Sequence, residues 1–120
     1  ASTEPEIKDG RLTFKIKVQA EGNFYEQTGS GELLTPAMIK VMEKSANQEI
    51  ASQIQACIKK AQYYQSDIFG WGRLLSEKNP GVWRSLEADW PAVFSAAGAD
   101  VSVEFNIRRN YLFKRSFKFQ

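Results

Sequence analysis

At 120 residues, with 42% hydrophobic and 25% charged residues and a formal net charge of +2, the chain has room for one hydrophobic core. Its global charge calls for neither nucleic acid nor a membrane surface. It has no histidine and one cysteine, Cys57, which excludes Ser-His and Cys-His catalysis, imidazole metal sites, an internal disulfide and a thiolate zinc cluster. No run reaches the roughly eighteen apolar residues of a membrane span. The polar start Ala1–Glu6 has no signal-peptide hydrophobic region. A soluble chain is expected, as it would be for an ectodomain separated from its anchor.

Along the chain, Leu12, Phe14, Ile16, Val18 and Ala20 alternate with polar residues, which predicts a half-buried strand. Glu21-Gly22-Asn23 marks a turn or kink, so that Phe24–Gln27 either extends this strand or pairs back on it. Thr35-Pro36 reads as a helix start, a capping hydroxyl followed by proline at the first helical position. The helix runs to about Gln65, with Ile39, Met42, Ala46, Ile50, Ile54, Cys57, Ala61 and Tyr64 as its apolar stripe and Lys44, Gln48, Gln55 and Lys59 opposite. A second helix, capped by Ser66 or Asp67, runs through about Lys78 and buries Ile68, Trp71, Leu74 and Leu75, until Asn79-Pro80-Gly81 stops it.

Trp83, Leu86, Trp90, Val93, Phe94 and Ala97 continue a helical stripe that Pro91 should break or kink. Val101, Val103, Phe105 and Ile107 then alternate as a strand, and Phe113, Phe117 and Phe119 alternate again after Asn110. Strands at both ends and helices between them predict an α+β fold: an antiparallel sheet of about four strands, with a long helix and two shorter helices on one face. No repeat, low-complexity tract or long linker divides the chain, so residues 1–120 read as a single domain.

Phe69-Gly70-Trp71-Gly72 could offer an aromatic platform to a ligand, but glycines beside a large ring more often let elements pack tightly around it. The pattern lacks the third glycine and the Lys-Ser/Thr of phosphate loops. Arg108, Arg109, Lys114, Arg115 and Lys118 are interleaved with Tyr111, Phe113, Phe117 and Phe119. That pattern suits an anionic-surface or nucleic-acid binding strand, or an edge strand protected by cations. Asp67, Glu87 and Asp89 have no spacing that forces convergence as acid and base, and Asp67 reads as a helix cap or the partner of an arginine. Cys57, on the apolar stripe, reads as a small buried hydrophobe.

The ordered set Ser66–Gly72, Asn79-Pro80, Trp83, Trp90-Pro91, Phe94 and Asn106–Arg109 resembles the C-terminal region of the Ger(x)C spore-germination lipoproteins, from roughly Leu12 to Arg109. The resemblance implies the third domain of the C subunit of a nutrient germinant receptor, with a non-catalytic structural or interaction role needed for germination. It implies A and B membrane subunits and the rest of the polypeptide as partners, with no nucleic acid, no cofactor and no metal. The full-length protein would lie at the inner spore membrane, outside the core, held only by an N-terminal lipid anchor that this chain does not contain. Cys57, inside a helix, is not that lipidation site. The motif residues Asp67, Phe69, Trp71, Arg108 and Arg109 are the candidate interaction residues. After Arg109 the sequence departs from the family pattern with a basic-aromatic tail. An anionic-surface or nucleic-acid binding module is the alternative function.

Overall fold

The computed structural model describes residues 1–26 and 35–111, and the side chains of 1–23 and 35–108. The order is β1 (Ser2–Lys8), β2 (Arg11–Glu26), α1 (Pro36–Tyr63), α2 (Trp71–Lys78), α3 (Pro80–Leu86), a 3₁₀ turn (Glu87–Asp89), α4 (Trp90–Ala96) and β3 (Gly98–Tyr111). The fold is α+β, as expected. The expected strand after Asn110 lies, from residue 112 on, outside the described residues.

Three features of the sheet differ from the sequence expectation. Among the described residues it has three strands, in the order β1-β2-β3. Its first strand comes from the N-terminal segment, which shows no apolar alternation. The signal there is Asp9-Gly10: both residues have positive φ, 54° and 75°, and Lys8 faces Arg11 in the antiparallel register, so a two-residue primed turn closes a hairpin. The strand stays polar because it is an edge. Pro5 interrupts its N–H row, and Glu6 pairs with Lys15 at 3.1 Å.

β2 is one continuous strand of 16 residues. Gly22 makes no turn: a Cβ there would lie 2.7 Å from the Phe105 ring, so the missing side chain makes room for that ring. Gly98 of β3 lies against Thr13 of β2, and Phe105 of β3 against Gly22, so the two strands ascend together and the sheet is mixed. A parallel pair needs a long crossover, and α1 to α4 supply it.

Two compact units divide the chain, Ala1–Val18 with Ala51–Ser102, and Gln19–Ile50 with Val103–Gln120. In the first, Leu12, Phe14 and Ile16 of β2 meet Ile58 and Ala61 of α1, Trp71 and Leu75 of α2 and Phe94 of α4 in one buried cluster. Phe14 stacks on Trp71 with centroids 4.3 Å apart and planes 18° apart. In the second, the amides of Phe105 and Ile107 donate to Asn47 Oδ1 at 2.6 Å and Glu43 Oε2 at 2.7 Å.

The inward face of α1 keeps Ile39, Ala46, Ile50, Ile54 and Ala61 of the apolar stripe read from the sequence but is rotated away from its other members. Ile58 and Ala61 are buried and Glu43, Asn47, Gln55 and Gln62 are half-buried, while Met42, Cys57 and Tyr64 are exposed. Gln55 donates to the carbonyl of Ala99 at 3.4 Å instead of facing water. The polar positions on this face serve backbone groups of β3, and a search for apolar periodicity passes over them.

α2 starts at Trp71, five residues after the first of the two expected caps, and leaves Ile68 exposed. Thr35 does cap α1, accepting from the Met38 amide at 3.1 Å. Asn79 caps α3 through the Val82 amide at 3.3 Å, with Pro80 at the helix start. The helical stripe is broken before Pro91, as expected, by the 3₁₀ turn, and Pro91 sits in the first turn of α4, which needs no N–H from it.

Asn47→Leu leaves the Phe105 amide without its acceptor, and urea denaturation is expected to show a loss of about 1–3 kcal/mol. Lys44→Gln, on the exposed side of the same helix, serves as the control and should shift stability by less than about 0.5 kcal/mol.

Candidate functional site

The segment Ala61–Gly72 is built from the end of α1 outward. Ser66 N–H bonds Ala61 O at 2.9 Å and Gln65 N–H bonds Gln62 O at 3.0 Å, with Gln65 left-handed at φ 54°. This is a Schellman ending that uses glutamine where glycine is usual. The chain then passes Asp67 and turns left-handed again at Gly70, φ 72°, before entering α2.

Asp67 is the hub. Its Oδ1 accepts from the Trp71 amide at 2.9 Å, and its Oδ2 accepts from the Gly72 amide at 2.8 Å and from Trp90 Nε1 at 3.0 Å. Two donors are unpaired amides at the start of α2, where a negative charge also meets the positive end of the helix dipole. The third belongs to α4. Gly72 is small for a packing reason: a Cβ there would lie 2.9 Å from Trp90 Nε1 and 3.0 Å from the Trp83 ring. Trp83 and Trp90 meet edge to face with centroids 5.1 Å apart.

Trp71 is buried between Phe14 and Phe94, its centroid 5.4 Å from that of Phe94. Phe69 is partly exposed, its ring 5.3 Å from that of Trp71. The Phe69–Gly72 run is therefore tight packing around a core tryptophan. Gln62, part of the Lys60-Ala61-Gln62 run that also resembles the family but to which the sequence assigns no structural role, holds α4 from the other side by donating to the carbonyls of Phe94 and Ala97, each at 2.9 Å. Its signal is only a polar residue one position from the buried Ala61.

The expected pairing of Asp67 with an arginine is not what forms. Asp67 has three N–H donors, and Arg108 pairs with Glu21 at 3.2 Å on the exposed surface of the second unit. The Arg109 side chain and the whole basic-aromatic tail from residue 112 lie outside the described residues. Glu87 and Asp89 sit on the exposed 3₁₀ turn, while Asp67 is committed inward. Among the described residues no group of three metal-ligating side chains comes together. An open groove of about 480 Å³ beside the hairpin is lined mainly by apolar side chains, among them Leu12, Val82, Leu86 and Val93, with Arg11 at its rim.

Asp67→Ala removes the acceptor for three donors and is expected to lower stability by about 2–4 kcal/mol in urea denaturation. Gly72→Ala forces Trp83 or Trp90 to move and should cost about 1–3 kcal/mol, with a change in near-ultraviolet circular dichroism from the displaced indoles. Gln65→Gly should raise stability by several tenths of a kcal/mol, about 1 at most, as the left-handed strain is relieved.

Residues 1–111 match the family model described as Spore germination B3/GerAC like, C-terminal. The chain is 27% identical over 97% of its length to Spore germination protein KC of Bacillus subtilis (strain 168), and 25% identical over 87% of its length to Spore germination protein YndF of the same organism. It spans 29% and 26% of those two proteins. A solved structure, that of the GerBC protein, superposes with a TM-score of 0.76 over 88% of this chain and 33% of that one, at 19% identity, and shows the same fold. The chain belongs to the spore germination B3/GerAC-like family and corresponds to its C-terminal region.

Proposed function

We propose that the chain is a non-catalytic structural and interaction domain of the C subunit of a nutrient germinant receptor. The observation that carries the reading is the use made of the segment Ser66–Gly72, which carries much of the family resemblance. Asp67, Trp71 and Gly72 are consumed in capping and packing, so the one carboxylate of the motif is committed to building a junction between helices. Family membership over residues 1–111 supplies the germination context.

In this reading residues 1–120 act as one domain at the end of a longer lipoprotein. The partners are the A and B membrane subunits and the preceding domains of its own polypeptide. The place is the outer side of the inner spore membrane, reached through a lipid anchor elsewhere in the full-length protein. Among the described residues no helix is long and apolar enough to cross a membrane. Of the motif residues, Phe69 has exposed surface for a partner in the first unit and Arg108 in the second, and Asp67 and Trp71 act by holding the segment around Phe69 in place.

Deleting this region in the host should abolish germination in every nutrient that uses the receptor. Normal germination of such spores with all those nutrients would refute the reading. A finer test uses Phe69→Ala and Arg108→Ala. The Arg108–Glu21 pair is exposed, so its loss should change stability by less than about 1 kcal/mol, and a slowed nutrient response from that variant would report a lost contact and not a lost fold.

A further inference from the structure

The last turn of α1 and the turn that follows it carry surface chemistry that the packing of the domain leaves unused. Tyr63, Tyr64, Ile68 and Phe69 are 81%, 66%, 67% and 38% exposed. Tyr63 and Tyr64 meet edge to face with centroids 5.1 Å apart. Lys59 and Lys60, also exposed, lie one turn earlier on the helix, at the i, i+4 spacing that puts them beside the tyrosines.

We propose that this turn is a docking surface for an anionic lipid bilayer. From Ala51 to Gly70 the only acidic residue is Asp67, and its carboxylate is turned inward onto three N–H donors, so the two lysines meet no opposing charge from this stretch. Tyrosine suits the headgroup region, with an apolar ring and a polar tip, and lysine reaches past it to phosphate. Ile68, on the turn between α1 and α2, exposes a hydrocarbon side chain suited to entering the acyl boundary.

Entering lipid also requires satisfied backbone groups. Along this turn the amides of Gln65, Ser66 and Ile68 already bond to carbonyls of Gln62, Ala61 and Ser66, at 3.0, 2.9 and 2.8 Å. Apart from Phe69, which the receptor reading also uses, this surface chemistry does not depend on the receptor assignment, so either can fail without the other.

The test is co-sedimentation of the full chain with vesicles of phosphatidylcholine and phosphatidylglycerol, and with phosphatidylcholine alone, at low and at physiological salt. Binding is expected to the anionic vesicles and to weaken with salt. Tyr64→Ser with Ile68→Ser should lower partitioning at least about tenfold, and Lys59→Gln with Lys60→Gln about fivefold for each lysine. Both pairs are exposed, and circular dichroism should show an unchanged fold. A third variant, Lys114→Gln with Arg115→Gln and Lys118→Gln, controls for the basic tail. Absence of binding at low salt overturns the proposal, as does a loss of binding confined to the third variant. A protein partner is indicated instead if vesicles are not bound while crosslinks from position 68 in native membranes join a second polypeptide.

Discussion

A single carboxylate organises the helical half of the molecule. Asp67 lies between α1 and α2 and belongs to neither, yet it accepts from two amides that open α2 and from the indole of α4. A helix of eight residues has little stability of its own, so its start must be held from outside. Holding the Trp71 amide also fixes where the Trp71 ring goes, and that ring stacks on Phe14 and meets Phe94 edge-on. The order of cause runs from one acidic side chain, through a helix start, to the aromatic centre of the core.

Much of this was legible in the sequence. The alternations at Leu12–Ile16 and Val101–Ile107, the Thr35 cap and the packing role of the glycines around Trp71 all follow from local rules. The mixed sheet was not legible, because strand direction is set by the path of the crossover and no local pattern records it. β1 was hidden for a different reason: an edge strand that is only partly covered keeps polar residues, and only Asp9-Gly10 betrayed the hairpin.

The inward face of α1 was read only in part, through the same kind of gap. Apolar periodicity finds side chains that bury hydrocarbon, but Glu43, Asn47, Gln55 and Gln62 face inward to serve backbone groups of Phe105, Ile107, Ala99, Phe94 and Ala97. Those residues are as polar as solvent-facing ones, and the difference lies wholly in their partners. Cys57, Met42 and Tyr64 were displaced from the core by the small rotation this implies. In place of the expected Asp67, Arg108 of β3 meets Glu21 of the neighbouring β2; these two exposed side chains lie far apart in sequence, and no local pattern records such a pairing.

The treatment of β3 restricts how this domain can be recognised. A bare strand edge lets an extended peptide join by backbone pairing, with little regard for its sequence. Here helix side chains occupy the amides of Phe105 and Ile107 and the carbonyl of Ala99, and at the opposite edge Pro5 interrupts the N–H row of β1. Recognition is thereby shifted from main chain to side chain: a partner must match shape and charge on the helices and turns, so a substitution at the surface can alter selectivity while the sheet stays intact.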